Sequence, residues 1–152
     1  MSGPTHKLVA TGVSKYFWMK DEPEPIPALS NVSLSVADGE FACIVGPSGC
    51  GKTTFLNIVT GLLSPDSGHI EIAGKPIGGP GRDRATVFQQ SRLLPWRTTL
   101  DNVLLPLEIV EPYKSRFRAD KAQYVEKAEK LLASVGLGGF GDRFPWQLSG
   151  GM

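Results

Sequence analysis

Apolar and polar positions follow two rhythms along this chain, and the change of rhythm marks its organisation. Val32, Leu34 and Val36 alternate with Ser33 and Ser35, the two-residue period of a half-buried strand. Residues 7–13 form a short mixed strand ending at a Gly-containing bend. Residues 41–45 are five apolar residues in succession, which predicts a strand buried on both faces. Ile70 and Ile72 alternate in a further short strand, and residues 85–88 give another apolar one. Helical spacing enters at residues 53–63, with Phe55, Leu56, Val59, Leu62 and Leu63 expected on one side. The run Ser64-Pro65-Asp66-Ser67-Gly68 ends it. The spacing returns at residues 121–135, where Tyr124, Val125, Ala128, Leu131, Leu132 and Val135 recur and Glu126, Lys127, Glu129 and Lys130 face outward. Residues 21–27 hold three prolines and three acids and predict an exposed loop. The order is that of an α/β core with an antiparallel β layer at its N-terminal side and a helical insert.

Composition narrows the class. With 152 residues there is room for one domain. Sixteen basic and 15 acidic residues leave a net charge of +1, which excludes the basic excess of a nucleic-acid-binding module, so no nucleic-acid partner is expected. The 18 glycines and 12 prolines exceed ordinary usage and have no collagen period, so they point to many turns. Two cysteines make no disulfide framework, and Cys43 and Cys50 read as packing or loop residues. The start has no apolar run of the export type, and no stretch approaches the ~20 apolar residues that cross a bilayer. The expected compartment is the cytoplasm.

Candidate chemistry begins at Gly46-Pro47-Ser48-Gly49-Cys50-Gly51-Lys52-Thr53, which fits G-x-x-x-x-G-K-[ST] at every position. The expected flanks, an apolar strand before and an amphipathic helix after, are the context this phosphate-binding loop requires. Glycines let the backbone curl so that successive N–H groups point at phosphate oxygens. The helix N-terminus adds free donors and partial positive charge. Lys52 supplies a cation for the β- and γ-phosphates, the Thr53 hydroxyl a ligand for Mg²⁺, and Thr54 a donor to a neighbouring phosphate oxygen.

Three further features resemble ATP-binding cassette (ABC) proteins. Leu148-Ser149-Gly150-Gly151-Met152 is similar to the signature usually written L-S-G-G-Q, departing at its last position. Val87-Phe88-Gln89, followed by Leu93-Leu94-Pro95-Trp96, resembles the family's Q-loop. Val13-Ser14-Lys15-Tyr16-Phe17 resembles the segment whose aromatic ring stacks on adenine; family spacing favours Phe17, and the adjacent Tyr16 would serve equally well. With the phosphate loop, the matches run from about residue 7 to 152 in the family's order.

That resemblance implies a phosphate-loop NTPase core of ABC type, with residues 1–97 as β layer and loop-bearing core, 98–147 as helical subdomain and 148–152 as signature. It implies Mg-ATP held by residues 46–54, Gln89 near Mg²⁺ and the attacking water, and Ser149, Gly150 and Gly151 closing over the nucleotide of a partner chain in a head-to-tail dimer. It implies a transmembrane permease as partner, contacted by residues 93–98 and the helical segment after them, and a solute-binding protein acting indirectly. The place of such a subunit is peripheral, on the cytoplasmic face of the cell membrane. Within the family, the loop, Leu-Leu-Pro-Trp and the Met-ending signature look most like importers of nitrate, sulfonates, taurine and related small anions.

The family's apolar strand ending in Asp-Glu, and its switch His, are not found in the 152 residues. Asp38 and Glu40 precede the phosphate loop, and neither His6 nor His69 fits the switch motif. The expectation is therefore that these residues are the first part of a larger domain and do not hydrolyse ATP at a useful rate by themselves. A non-catalytic ATP-binding fragment and a soluble non-transport ABC-type ATPase are the alternatives. A soluble kinase or GTPase is disfavoured because no N-K-x-D base-specificity motif is present.

Overall fold

The computed structural model describes residues 6–20, 22–90 and 92–152. They fall into two compact units, one ending at Val87 and the other beginning at Phe88.

In the first unit, strands β1 (His6–Phe17), β2 (Ile26–Ala37), β3 (Ser67–Ile72) and β4 (Lys75–Pro76) form an antiparallel sheet in the order β2-β1-β3-β4. The expected antiparallel layer is present. The alternation of Val32, Leu34 and Val36 with exposed Ser33 and Ser35 is realised in β2. Both long strands outrun their sequence signals. Strand β1 continues through the Val13–Phe17 segment, and β2 takes in Ile26 and Pro27 from the expected loop; Asp21 of that loop lies outside the described residues. The β1–β2 register slips at several points, and at two of them the extra residue belongs to β2. Asn31, with φ 52°, sits at one and Ala28 at the other. Strand β1 therefore keeps its two-residue alternation from Val13 to Phe17.

Helix α1 (Lys52–Val59) packs on this sheet through Phe55 and Ile58, which join Ala10, Val13, Leu29 and Ile70 in the core. The expected stripe is corrected here. The helix ends at Val59, with Thr60 as its C-cap, instead of running to 63, because Gly61 turns left-handed at φ 78°. Ile58 replaces Leu56 on the buried face, and Leu56 and Leu62 are exposed.

The two strands expected at 41–45 and 85–88 are not formed. Both segments lack regular structure, and Phe41, Val45 and Val87 are 90%, 89% and 98% exposed. Cys43 is likewise exposed, not buried on a central strand. An isolated extended segment gains no ladder bonds, and among the described residues no strand runs beside either one.

The second unit holds α2 (Thr99–Ile109), α3 (Tyr113–Arg116) and α4 (Lys121–Ser134), then a short 3₁₀ turn at Pro145–Gln147. Its core is small: Leu104 of α2 and Ala128 and Leu132 of α4 are buried, whereas Leu131 and Val135 of the expected α4 stripe are exposed. Thr98 caps α2 by accepting from the Asp101 N–H at 3.1 Å. No helix among the described residues is long and apolar enough to cross a membrane.

Candidate functional site

The phosphate-loop residues form one continuous structural passage. Gly46 and Pro47 are irregular, Ser48 to Gly51 make the turn, and Lys52 opens α1. Gly49 and Gly51 have φ of 81° and 91°, a region that costs any side-chain-bearing residue energy. At Gly51 space is closed as well: a Cβ there would collide with the Ala28 carbonyl oxygen and the Leu29 side chain. The loop thus passes directly against the backbone of β2.

The helix start beyond Gly51 suits an anion. No side chain caps α1, and its first turn holds no acidic residue. The helix ladder begins with the Phe55 N–H bonding the Gly51 carbonyl at 2.9 Å, which leaves the N–H groups of Lys52, Thr53 and Thr54 without helical acceptors. Lys52 folds back over the loop, its Nζ donating to the carbonyls of Gly46 at 2.8 Å and Pro47 at 2.6 Å and lying 3.6 Å from Cys50 Sγ. Thr53 is exposed and Thr54 half-buried. Curled glycines, open amides, an ammonium and adjacent hydroxyls are a donor set that fits a polyphosphate. Beside the loop, Leu29, Val32, Cys43, Val45 and Phe55 line an apolar cleft of about 410 Å³.

Tyr16 and Phe17 end β1, both partly exposed. Asp66, from the turn before β3, grips the residues just ahead of them. Its N–H donates to the Ser14 carbonyl at 2.9 Å, and its carboxylate accepts from Lys15 Nζ at 2.9 Å and from the Tyr16 N–H at 2.7 Å. The bound Lys15 ammonium, then the Tyr16 N–H, hold the Asp66 carboxyl below the usual carboxylate range. The same Lys15 Nζ lies over the Phe17 ring, 6.0 Å from its centroid. The sequence places Asp66 only in a helix-ending turn; its partners are 50 residues away in the chain, a separation no local pattern signals.

The remaining expected site residues belong to the second unit. Gln89 and Gln90 are exposed in a bend after Phe88, whose ring lies 5.6 Å from the Arg92 guanidinium. Ser149, Gly150 and Gly151 form an exposed turn closed by the Met152 N–H on the Ser149 carbonyl at 3.0 Å. Just ahead, Phe144 and Trp146 stack with ring centroids 4.6 Å apart. The stretch from Leu94 to Thr98 is organised by Asn102, a residue that no sequence pattern singles out. Its amide donates to the carbonyls of Leu94, Arg97 and Thr98 at 3.1, 3.2 and 2.9 Å. Arg97 is fixed further by Glu108 at 2.6 Å. Trp96 and Leu93 stay exposed. Between α2 and α4 lies a cleft of about 280 Å³, walled mainly by Val103, Pro106, Leu107, Tyr113, Tyr124 and Leu131.

Comparison with known proteins gives the same family three ways. The family described as ABC transporter matches residues 29–152. The taurine import ATP-binding protein TauB of Chromobacterium violaceum is 51% identical over 126 residues, covering 82% of this chain and 45% of that protein. TauB of Escherichia coli is 45% identical over 125 residues, and the ABC transporter ATP-binding protein MJ0412 of Methanocaldococcus jannaschii 47% over 127. This chain spans about half the length of these curated relatives. Among solved structures, the dimeric structure of MJ0796, a bacterial ABC transporter cassette, superposes with a TM-score of 0.75 at 33% identity. That match covers 95% of this chain and 64% of the other. A post-hydrolysis dimer of the same cassette bound to ADP and Pi gives 0.74.

Proposed function

The chain belongs to the ABC transporter family, and on that premise we propose that it is the nucleotide-binding part of an import ATPase, holding Mg-ATP on residues 46–54. The observation that carries this reading is the N-terminus of α1: uncapped, free of acid, and reached through a loop whose Gly51 admits no side chain. The N–H groups of Lys52, Thr53 and Thr54 donate to the phosphate oxygens, Lys52 neutralises the β- and γ-phosphates, and the Thr53 hydroxyl is the ligand offered to Mg²⁺. Bound there, Mg-ATP supplies the phosphoanhydride whose cleavage drives the transport cycle. Phe17 or Tyr16 stacks on the base. Gln89 serves the metal and the water, and Ser149, Gly150 and Gly151 serve the nucleotide of a second copy in a head-to-tail dimer.

The partners belong to the same reading. The exposed Trp96 and Leu93, on a loop that Asn102 makes rigid, and the apolar cleft between α2 and α4 suit a helix of a membrane permease. The subunit sits on the cytoplasmic face of the membrane and meets a solute-binding protein only through that permease. The names of the taurine importers support a small sulfonate or related anion as cargo. By themselves the 152 residues bind nucleotide without turning it over, because among the described residues no carboxylate lines the cleft beside the loop to act as general base.

Equilibrium dialysis with labelled ATP tests the reading. Saturable, Mg²⁺-dependent binding that disappears in Lys52→Ala is the expected result; equal binding by Lys52→Ala overturns it. Steady turnover near ~1 s⁻¹ that Lys52→Ala abolishes would overturn the claim of inactivity.

A further inference from the structure

We propose that Asp66 and Lys15 form a clamp that sets the adenine-stacking ring of Phe17, making Asp66 a positioning residue for recognition of the base. The inference rests on the reading of residues 46–54 as an ATP site, and it decides between the two rings that the sequence leaves open.

Asp66 engages three consecutive residues of β1: the carbonyl of Ser14, the ammonium of Lys15 and the N–H of Tyr16, all within 2.9 Å. The next residue is Phe17. Lys15 is the one of the three that Asp66 holds by its side chain, and that side chain is 14% exposed, so its ammonium is confined where it meets the carboxylate. Because β1 keeps its alternation here, Val13, Lys15 and Phe17 share one face of the sheet. Val13 is fully buried in the core with Phe55 and Ile58 of α1, so this is the face on which the phosphate-loop helix lies. Tyr16 points to the other face.

The Lys15 ammonium covers one side of the Phe17 ring at 6.0 Å, within the range of a cation–π contact. Phe17 as a whole is 42% exposed, and in this proposal the flat partner stacks on the side of the ring away from Lys15. A ring held on one face by a cation loses less rotamer freedom when a purine stacks on the other, and preorganisation of that kind appears as affinity. The carboxylate thus reaches the base through Lys15 and the ring, without touching the nucleotide.

The test compares ATP with inorganic tripolyphosphate, which shares the phosphates and lacks the base. In the full 152-residue chain, Phe17→Ala, Asp66→Asn and Lys15→Met should each weaken ATP and leave tripolyphosphate unchanged. The expected loss is about threefold to tenfold for the two clamp variants, the range of a stacking contact, and more for Phe17→Ala. Asp66→Asn and Lys15→Met together should cost no more than either alone, since both break one pair. Tyr16→Ala should leave the ATP to tripolyphosphate ratio unchanged. If the native chain binds neither ligand, the phosphate-loop reading falls and the clamp with it. If Phe17→Ala leaves ATP affinity intact, base stacking by Phe17 falls and so does the clamp. If Phe17→Ala weakens ATP while Asp66→Asn does not, or if Asp66→Asn weakens both ligands equally, the clamp alone is overturned.

Discussion

Asn102 and Leu94 hold each other by both ends of an amide: the Leu94 N–H donates to Asn102 Oδ1 at 2.7 Å, and Asn102 Nδ2 donates back to the Leu94 carbonyl at 3.1 Å. With the Arg97 and Thr98 carbonyls on the same Nδ2, one side chain satisfies four backbone groups of a connecting loop. A side chain that pairs with the backbone in this way substitutes for the regular structure the loop lacks. The Leu94 and Thr98 carbonyls also accept the Arg97 and Asn102 N–H groups at 3.1 and 2.9 Å, so Asn102→Ala takes the side-chain partner from the part-buried Leu94 N–H and Arg97 carbonyl above all, and the expected cost is about 2 kcal/mol. The Leu94 amide should pass from protected to freely exchanging, which hydrogen exchange measures directly. An unchanged Leu94 exchange rate would contradict the arrangement.

Gly51→Ala should damage the chain twice over. It places a Cβ at φ 91° and drives that Cβ into the Ala28 carbonyl oxygen. The positive φ alone costs about 1–2 kcal/mol, and the collision adds to it by forcing β2 and the loop apart. Denaturant unfolding of the variant should show a lower midpoint than Gly49→Ala, where a Cβ meets nothing within 4 Å.

Lys52→Met should separate binding from folding. Its Nζ bonds exposed carbonyls, so the thermal midpoint should change little. Tripolyphosphate affinity should fall by about tenfold to a hundredfold, the range of a charge-assisted hydrogen bond.

The Asp66 ion pair has a pH signature. Its carboxyl titrates lower in the folded chain than in the unfolded one, because Lys15 and the Tyr16 N–H favour the charged form. The folded state therefore binds that proton less readily, and the pair stabilises it above the ordinary carboxylate pKa of ~4. The contribution fades as pH falls through that value toward the lower folded one. Midpoints of the native chain and Asp66→Asn should differ at pH 7 and converge toward pH 3; a gap independent of pH would remove the charge from the explanation.

Phe41, Val45 and Val87 lie open to solvent, and unpaired extended segments with apolar side chains are sites of association. The 152-residue chain should self-associate as its concentration rises, and Phe41→Ser with Val87→Ser should reduce this. A monodisperse monomer with a sharp cooperative melt would count against it.

The parts legible in the sequence are those whose signal is local. The alternation at Val32, Leu34 and Val36, the helical period of residues 121–135 and the glycine spacing of the phosphate loop each need only a few neighbours. The strands expected at 41–45 and 85–88 rest on apolar runs, which describe what a segment would bury and not whether a neighbour exists to bury it. The choice of Phe55 and Ile58 over Leu56 escapes the pattern because Phe55, Leu56, Ile58 and Val59 lie on one broad apolar arc of α1, and spacing alone does not choose which edge of that arc is buried. Asp66 and Asn102 escape it because a polar residue beside a turn or in a helix start looks solvated until its partners are known.

The main-chain oxygen at position 28 also shapes what mutation can reach. An obstacle made of side chain can be cleared by a smaller residue elsewhere, so a second-site change could rescue a bulky substitution. The carbonyl of Ala28 is present whatever residue occupies that position, and it stands against Gly51. No suppressor at 28 can open the space by losing atoms; one would have to shift the strand. A genetic selection beginning from a Gly51 substitution should therefore return reversions to glycine far more often than compensating changes along β2.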